Sequence, residues 1–70
     1  MHIYRITARG LQVSRSVSGP VNDENWQVLR AASRTGLSDD SKLSSITGLP
    51  EGTVRAIAGR LKRQGLIEEG

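Results

Sequence analysis

The chain has 70 residues, no cysteine, 36% hydrophobic residues, and ten Lys and Arg against seven Asp and Glu for a net charge of +3. A single small domain of this size buries only about 60% of the surface its unfolded form exposes, and the lack of cysteine excludes a disulfide framework, a thiolate zinc site and a thiol nucleophile, which suits the cytoplasm. No stretch approaches the ~20 apolar residues that cross a bilayer, and MHIYRITARG lacks the apolar run of a signal peptide, so neither a membrane nor an export role is expected.

Residues 2–7 set Tyr4 and Ile6 against Ile3, Arg5 and Thr7 and are rich in β-branched and aromatic types, which predicts a short strand. Ala8-Arg9-Gly10 reads as a turn. Leu11, Val13, Arg15 and Val17 alternate as a second strand would, but Val13 and Val17 also share a helical face. Residues 11–17 therefore stay open between hairpin partner and short helix, with helix preferred. Ser18-Gly19-Pro20 breaks that element. A helix over 22–36 follows, capped by Asn22 or Asp23, with Trp26, Leu29 and Ala32 on one side and Gly36 at its end.

Leu37-Ser38-Asp39-Asp40 opens a second helix over 38–47, with Ser38 or Asp39 as N-cap, acids in the first turn, and Leu43 and Ile46 as its apolar stripe. Gly48 gives the backbone freedom for a sharp turn, Leu49 offers a buried plug, and Pro50 suits a first helical position. The third helix spans 50–64 with Gly65 at its C-terminal cap, and residues 66–69 form a strand. The expected fold is one domain over 1–70, mostly α with three helices and a small β component.

The basic residues are unevenly placed. Arg55, Arg60, Lys62 and Arg63 share the third helix, and Arg5, Arg9 and Arg15 lie in an N-terminal stretch without an acid. Asp23, Glu24, Asp39 and Asp40 sit instead at two expected helix starts, where carboxylates oppose the positive end of the helix dipole. The acids read as structural and the bases as available to a partner.

Leu43, Ile46, Gly48-Leu49, Thr53-Val54, Leu61 and Gly65-Leu66-Ile67 together resemble the winged helix-turn-helix of MarR-like and related prokaryotic regulators. The likeness covers roughly Asn22 to Glu69 and lies in spacing rather than in rare residues. It implies that the helix beginning near Pro50 is a recognition helix followed by a two-stranded wing. The chain departs from that pattern at Gly70, where the first wing strand should turn back. The N-terminal YRITARG is similar to the returning wing strand of such domains, so Ile3 to Thr7 is expected to pair antiparallel with Leu66 to Glu69. The resemblance also puts Arg9 at the wing tip, along a DNA minor groove, where an ordinary turn arginine is the alternative.

At 100° per residue, Val54, Ile57, Ala58 and Leu61 converge on one side of the third helix, opposite Gly52, Ala56, Gly59 and Arg63, with Arg55 and Arg60 at the edges. Glycine inside a helix costs roughly 1 kcal/mol relative to alanine, so Gly52 and Gly59 invite an explanation. On one reading the smooth ridge seats deep in a DNA major groove while Arg55 and Arg60 reach guanine edges or phosphates. On the other, small residues let a helix or a second subunit pack closely and the arginines are a solvated rim. Lys42 can touch a backbone phosphate or simply face solvent. Thr53 can donate to a base or phosphate, or bond within the first turn. Glu51 complements the helix dipole better than it reads a cytosine. Trp26 is read as core, which leaves Tyr4 as the one exposed aromatic candidate and disfavours binding of single strands by stacking.

Catalysis needs a positioned group with an oriented partner. The chain offers one histidine, His2, and the acidic doublets Asp39-Asp40 and Glu68-Glu69, whose neighbours point apart on a helix or a strand. There is no phosphate-cradling glycine loop. No enzymatic role, metal or cofactor is expected. The sequence points to double-stranded DNA binding by a transcription regulator, with Arg9, Lys42, Gly52, Thr53, Arg55, Ala56, Gly59, Arg60 and Arg63 as the contact set. A homodimer on a two-fold site fits that use. The rival is a winged-helix module that docks a protein partner within a larger complex, and a unit of a tandem array is a third arrangement.

Overall fold

The structure, a computed structural model, describes residues 3–16 and 23–70. His2, Val17, the Ser18-Gly19-Pro20 break and the Asn22 cap lie outside the described residues. The elements in chain order are β1 (Ile3–Ile6), α1 (Ala8–Ser16), α2 (Glu24–Thr35), β2 (Leu37–Asp39), α3 (Asp40–Thr47), α4 (Glu51–Arg63) and β3 (Ile67–Glu69). The described part of the chain is thus mostly helical with a small three-stranded antiparallel sheet, in the order β2-β1-β3. No helix among the described residues is long and apolar enough to cross a membrane.

Helix α2 is the hub and packs against α1, α3 and α4 as well as against β1 and β2. Its Val28, Leu29, Ala31 and Ala32 meet Leu43 of α3, then Val54, Ile57, Ala58 and Leu61 of α4, and Tyr4, Leu66 and Ile67 from the sheet side. Full burial of side chains such as Leu29, Leu43 and Val54 contributes about 1.5–3 kcal/mol each. Ile46, expected in the α3 stripe, is instead 45% exposed, at the rim of an open groove with Gln27, Arg30, Ala31 and Arg34 of α2. Trp26 packs half-buried against the core.

The antiparallel pairing expected between the two distant strands is present, with Arg5 opposite Glu68 and Ile6 opposite Ile67. The amide of Thr7 donates to the Leu66 carbonyl at 3.1 Å and that of Gly70 to the Ile3 carbonyl at 2.9 Å. The sheet has a third strand that was not expected. Residues 37–39 form β2 on the other side of β1, with Tyr4 opposite Ser38. The second helix consequently begins at Asp40 rather than at 38, and its N-cap is Asp39, whose side chain accepts from the Lys42 amide at 2.7 Å.

Ala8-Arg9-Gly10 is not a turn. It is the first turn of α1, so residues 11–16 are helical. Thr7 caps this helix, its hydroxyl accepting from the Gly10 amide at 3.0 Å and donating to the carbonyls of Gly65 at 2.7 Å and Leu66 at 3.0 Å. One side chain thereby ties the start of α1 to the end of α4.

The ends of α3 and α4 follow from local chemistry. Gly48 takes a φ of 77°, and the Ser44 hydroxyl and Thr47 Oγ1 bond to the carbonyl and amide of Leu49, which fixes a three-residue turn between the two helices. Pro50 is the N-cap of α4 and not its first residue. At the other end the Gly65 amide bonds to the Lys62 carbonyl and the Leu66 amide to the Leu61 carbonyl, both at 3.0 Å. These paired bonds, with Gly65 at a φ of 76°, make a Schellman cap in which Leu61 and Leu66 close over the core.

Candidate nucleic-acid interface

Because α4 buries Val54, Ile57, Ala58 and Leu61, its other side is turned outward. Gly52, Arg55, Ala56, Arg60 and Arg63 are exposed, and Thr53 and Gly59 are half-buried. A Cβ placed on Gly52 or Gly59 would meet nothing within 4 Å. Neither glycine is therefore required by packing within the described residues, and the helix-propensity cost of keeping them is left without an internal reason.

The three arginines of this face are held differently. Arg55 Nε donates to Asp40 Oδ2 at 3.3 Å, and Asp40 Oδ1 accepts from the Tyr4 hydroxyl at 2.7 Å. The Asp40 side chain is 9% exposed and that of Arg55 60%, so a nearly buried carboxylate anchors a largely exposed guanidinium. Arg60 and Arg63, like Lys42 on the first turn of α3, are exposed and form no ion pair among the described residues. Lys62 reaches Glu69 at 3.3 Å, and Arg5 pairs across strands with Glu68 at 3.1 Å. The Glu68-Glu69 doublet thus partners two of the bases that the sequence left available. Bases in the last turn of α4 also complement its dipole whatever they bind.

A shallow groove runs beside this face between α4 and the start of α2, lined by Asp23, Glu24, Asn25, Gly52, Thr53, Ala56, Ile57 and Arg60. One wall is acidic. Asp23 spends its side chain on capping α2, accepting from the Asn25 amide at 2.8 Å. Thr53 faces this groove.

Seven of the nine candidate residues lie on α4; Lys42 lies on α3 beside Ile3, Leu37 and Asp39, and Arg9 lies on α1. It sits exposed in the first turn of α1, beyond the end of β1 that meets Leu66, whereas the open end of the β1–β3 pair is at Ile3 and Gly70. The helix cap made by Thr7 puts it at the opposite end of the strand from a wing tip. Tyr4 is also not an exposed aromatic: it is 3% exposed, in the core.

Tyr4 and Asp40, which hold Arg55 on this face, were not among the contact residues the sequence pointed to. The available signal was the Asp39-Asp40 doublet, of which a cap needs only one. Burial first, and then the hydrogen bond to Asp40 and its charge, push the Tyr4 phenol above its usual range. The folded state therefore keeps a proton that the unfolded chain loses above a pH of about 10, so stability is full below that pH and falls above it, by up to about 1.4 kcal/mol per pH unit. Tyr4 is the one tyrosine in the chain. Its phenolate absorbance should accordingly rise only as the protein unfolds in alkali, and Tyr4→Phe should flatten this part of the alkaline stability loss. A phenolate that forms at ordinary pH while the circular dichroism stays native would refute the buried pair.

Compared with known proteins, the chain matches no family model, no curated protein and no solved structure.

Proposed function

We propose that this chain binds double-stranded DNA as a winged-helix module, setting the outward face of α4 into the major groove in the service of transcription regulation. One observation carries the reading. The outward face of α4 is a smooth ridge of Gly52, Ala56 and Gly59, open above both glycines, ending in Arg63 and edged by Arg55 and Arg60. A ridge with nothing larger than a methyl group lets a helix backbone approach a groove floor, and basic edges meet the phosphates on either side. The arrangement of elements supports it: α3 and α4 joined by a three-residue turn, followed by a strand that returns to a small sheet, is the order expected of a winged helix.

Lys42, Arg60 and Arg63 are the phosphate contacts in this reading. Neutralising three phosphates gives a log-log salt slope of about −2.7. Fluorescence anisotropy with a random duplex between about 50 and 200 mM salt should return that slope. Arg60→Ala and Arg63→Ala should each reduce its magnitude by about 0.9, across all sequences alike. Salt-insensitive binding, or a slope unmoved by both substitutions, would refute the reading.

A second reading has its own observation. Asp23 and Glu24 on the groove wall repel phosphate and suit a protein partner with a basic or small-residue surface. Under that reading the ridge is a docking face, and duplex DNA leaves the amide resonances of Gly52 to Arg63 unshifted at low salt.

A further inference from the structure

Of the arginines on the outward face of α4, Arg55 is the one with a described anchor behind it. Its Nε is taken by Asp40 Oδ2 at 3.3 Å, and Asp40 is itself fixed by the Tyr4 hydroxyl at 2.7 Å on its other oxygen. Tyr4 is fully inside the core, centred in the sheet between β2 and β3. The chain of contacts therefore runs from the least mobile part of the fold to an exposed guanidinium.

A guanidinium is planar, and when Nε is engaged the two terminal nitrogens remain as a parallel pair of donors. That fork fits two acceptors side by side, as on the major-groove edge of guanine, where O6 and N7 lie together. An Arg side chain gives up rotamer entropy when it is fixed, and one already held loses less on binding. Asp40 also cancels part of the charge of Arg55, which weakens its pull toward diffuse phosphate charge but leaves its directional hydrogen bonds intact. Arg55 lies in the N-terminal half of α4, the part of a groove-inserted helix that meets base edges.

We infer that Tyr4 and Asp40 form a positioning device that presents the Arg55 fork to one guanine, making Arg55 the base-reading residue of the face. The inference rests on the duplex-DNA reading above. Arg60, Arg63 and Lys42 then hold the backbone, and Arg55 supplies sequence preference.

The test is selection of bound sites from a randomised duplex pool, followed by anisotropy on the selected site and its single-base variants. The wild-type protein should select an unvarying guanine, and replacing that base pair should weaken binding roughly tenfold or more. Arg55→Lys keeps the charge and the reach to Asp40 but has no fork. It should bring discrimination at that position to within about threefold and leave the salt slope in place. Asp40→Asn can still accept from Tyr4 but sets an amide against Arg55 Nε. It should lose discrimination at the same position while affinity for unrelated duplex holds or rises, since a carboxylate has left the face. Tyr4→Phe should lie between wild type and Asp40→Asn. Thermal melts of each variant report that it is folded, and Arg55→Lys, at a 60% exposed side chain, is the variant least exposed to that concern.

A merely structural ion pair predicts otherwise: Asp40→Asn would lower specific and non-specific affinity in parallel with stability. That outcome overturns the inference, as does wild-type discrimination in Arg55→Lys. Duplex binding with the expected salt slope but no base preference overturns the inference alone. No duplex binding by the wild-type chain overturns it together with the DNA reading.

Discussion

Gly10→Ala is expected to remove most of the protein's folding stability, leaving about 0–2 kcal/mol. A Cβ on Gly10 would stand 1.9 Å from the Leu66 carbonyl oxygen, 2.8 Å from its carbon and 2.9 Å from Ile6 Cγ1. The first two are backbone atoms and cannot rotate aside. Relief requires α1 to lift away from the chain between α4 and β3, which would break the Thr7 hydroxyl contacts to Gly65 and Leu66 and the Thr7 amide bond to Leu66. Overpacking of this kind costs about 3 kcal/mol at the upper end of its usual range, and a domain this small holds only about 3–5 kcal/mol in total. Arg9→Ala, at the exposed neighbouring position, should change stability by less than about 0.5 kcal/mol and serves as the control. The check is urea and thermal unfolding followed by circular dichroism. A Gly10→Ala protein that melts within a few degrees of wild type would mean that the start of α1 is free to shift.

The paired substitution Gly52→Ala, Gly59→Ala should have the opposite effect on stability and weaken binding. Both sites are helical, and an added methyl meets nothing within 4 Å at either. The gain is about 1 kcal/mol at the interior Gly59 and less in the first turn at Gly52. For a domain of this size that raises the melting temperature by about 5–10 °C. Two methyl groups on the ridge also hold the helix backbone away from whatever it seats against. Duplex affinity should fall roughly tenfold, equivalent to about 1.4 kcal/mol. A protein that is more stable and binds DNA as well as wild type would take the ridge out of the interface. Weaker binding without added stability would instead point to damage in the fold.

How much of this was legible in the sequence varied with the range of the interactions. The end of α4 was plain, because Gly65 between Arg63 and Leu66 marks a C-terminal cap that needs only neighbouring residues. The pairing of β1 with β3 was reached through the likeness of YRITARG to a returning wing strand, since nothing in the periodicity of Ile3 to Thr7 names a partner so far along the chain. Strand β2 was not legible. Leu37-Ser38-Asp39 is short and carries the side chains of a helix start, and it is a strand because β1 lies beside it. Arg9 was misplaced for a related reason. Gly10 looks like a turn residue, but its glycine answers a close approach by Leu66 and not a need for a positive φ, and it stays within a helix. Of the candidate face, the outward residues of α4 followed from helical geometry alone. The anchor behind Arg55 did not, because its first member, Tyr4, is 36 residues from Asp40 in the chain.

The central position of β1 has a consequence for how the molecule is made. Strand β1 leaves the ribosome before both of its partners, and the second of them, Ile67–Glu69, emerges after every other described element. Contacts of such long sequence separation slow folding relative to helical proteins of equal length. The β1–β3 side of the sheet therefore closes only after Glu69 has been made. The α2–α3–α4 cluster, whose contacts are closer in sequence, is the part able to assemble first.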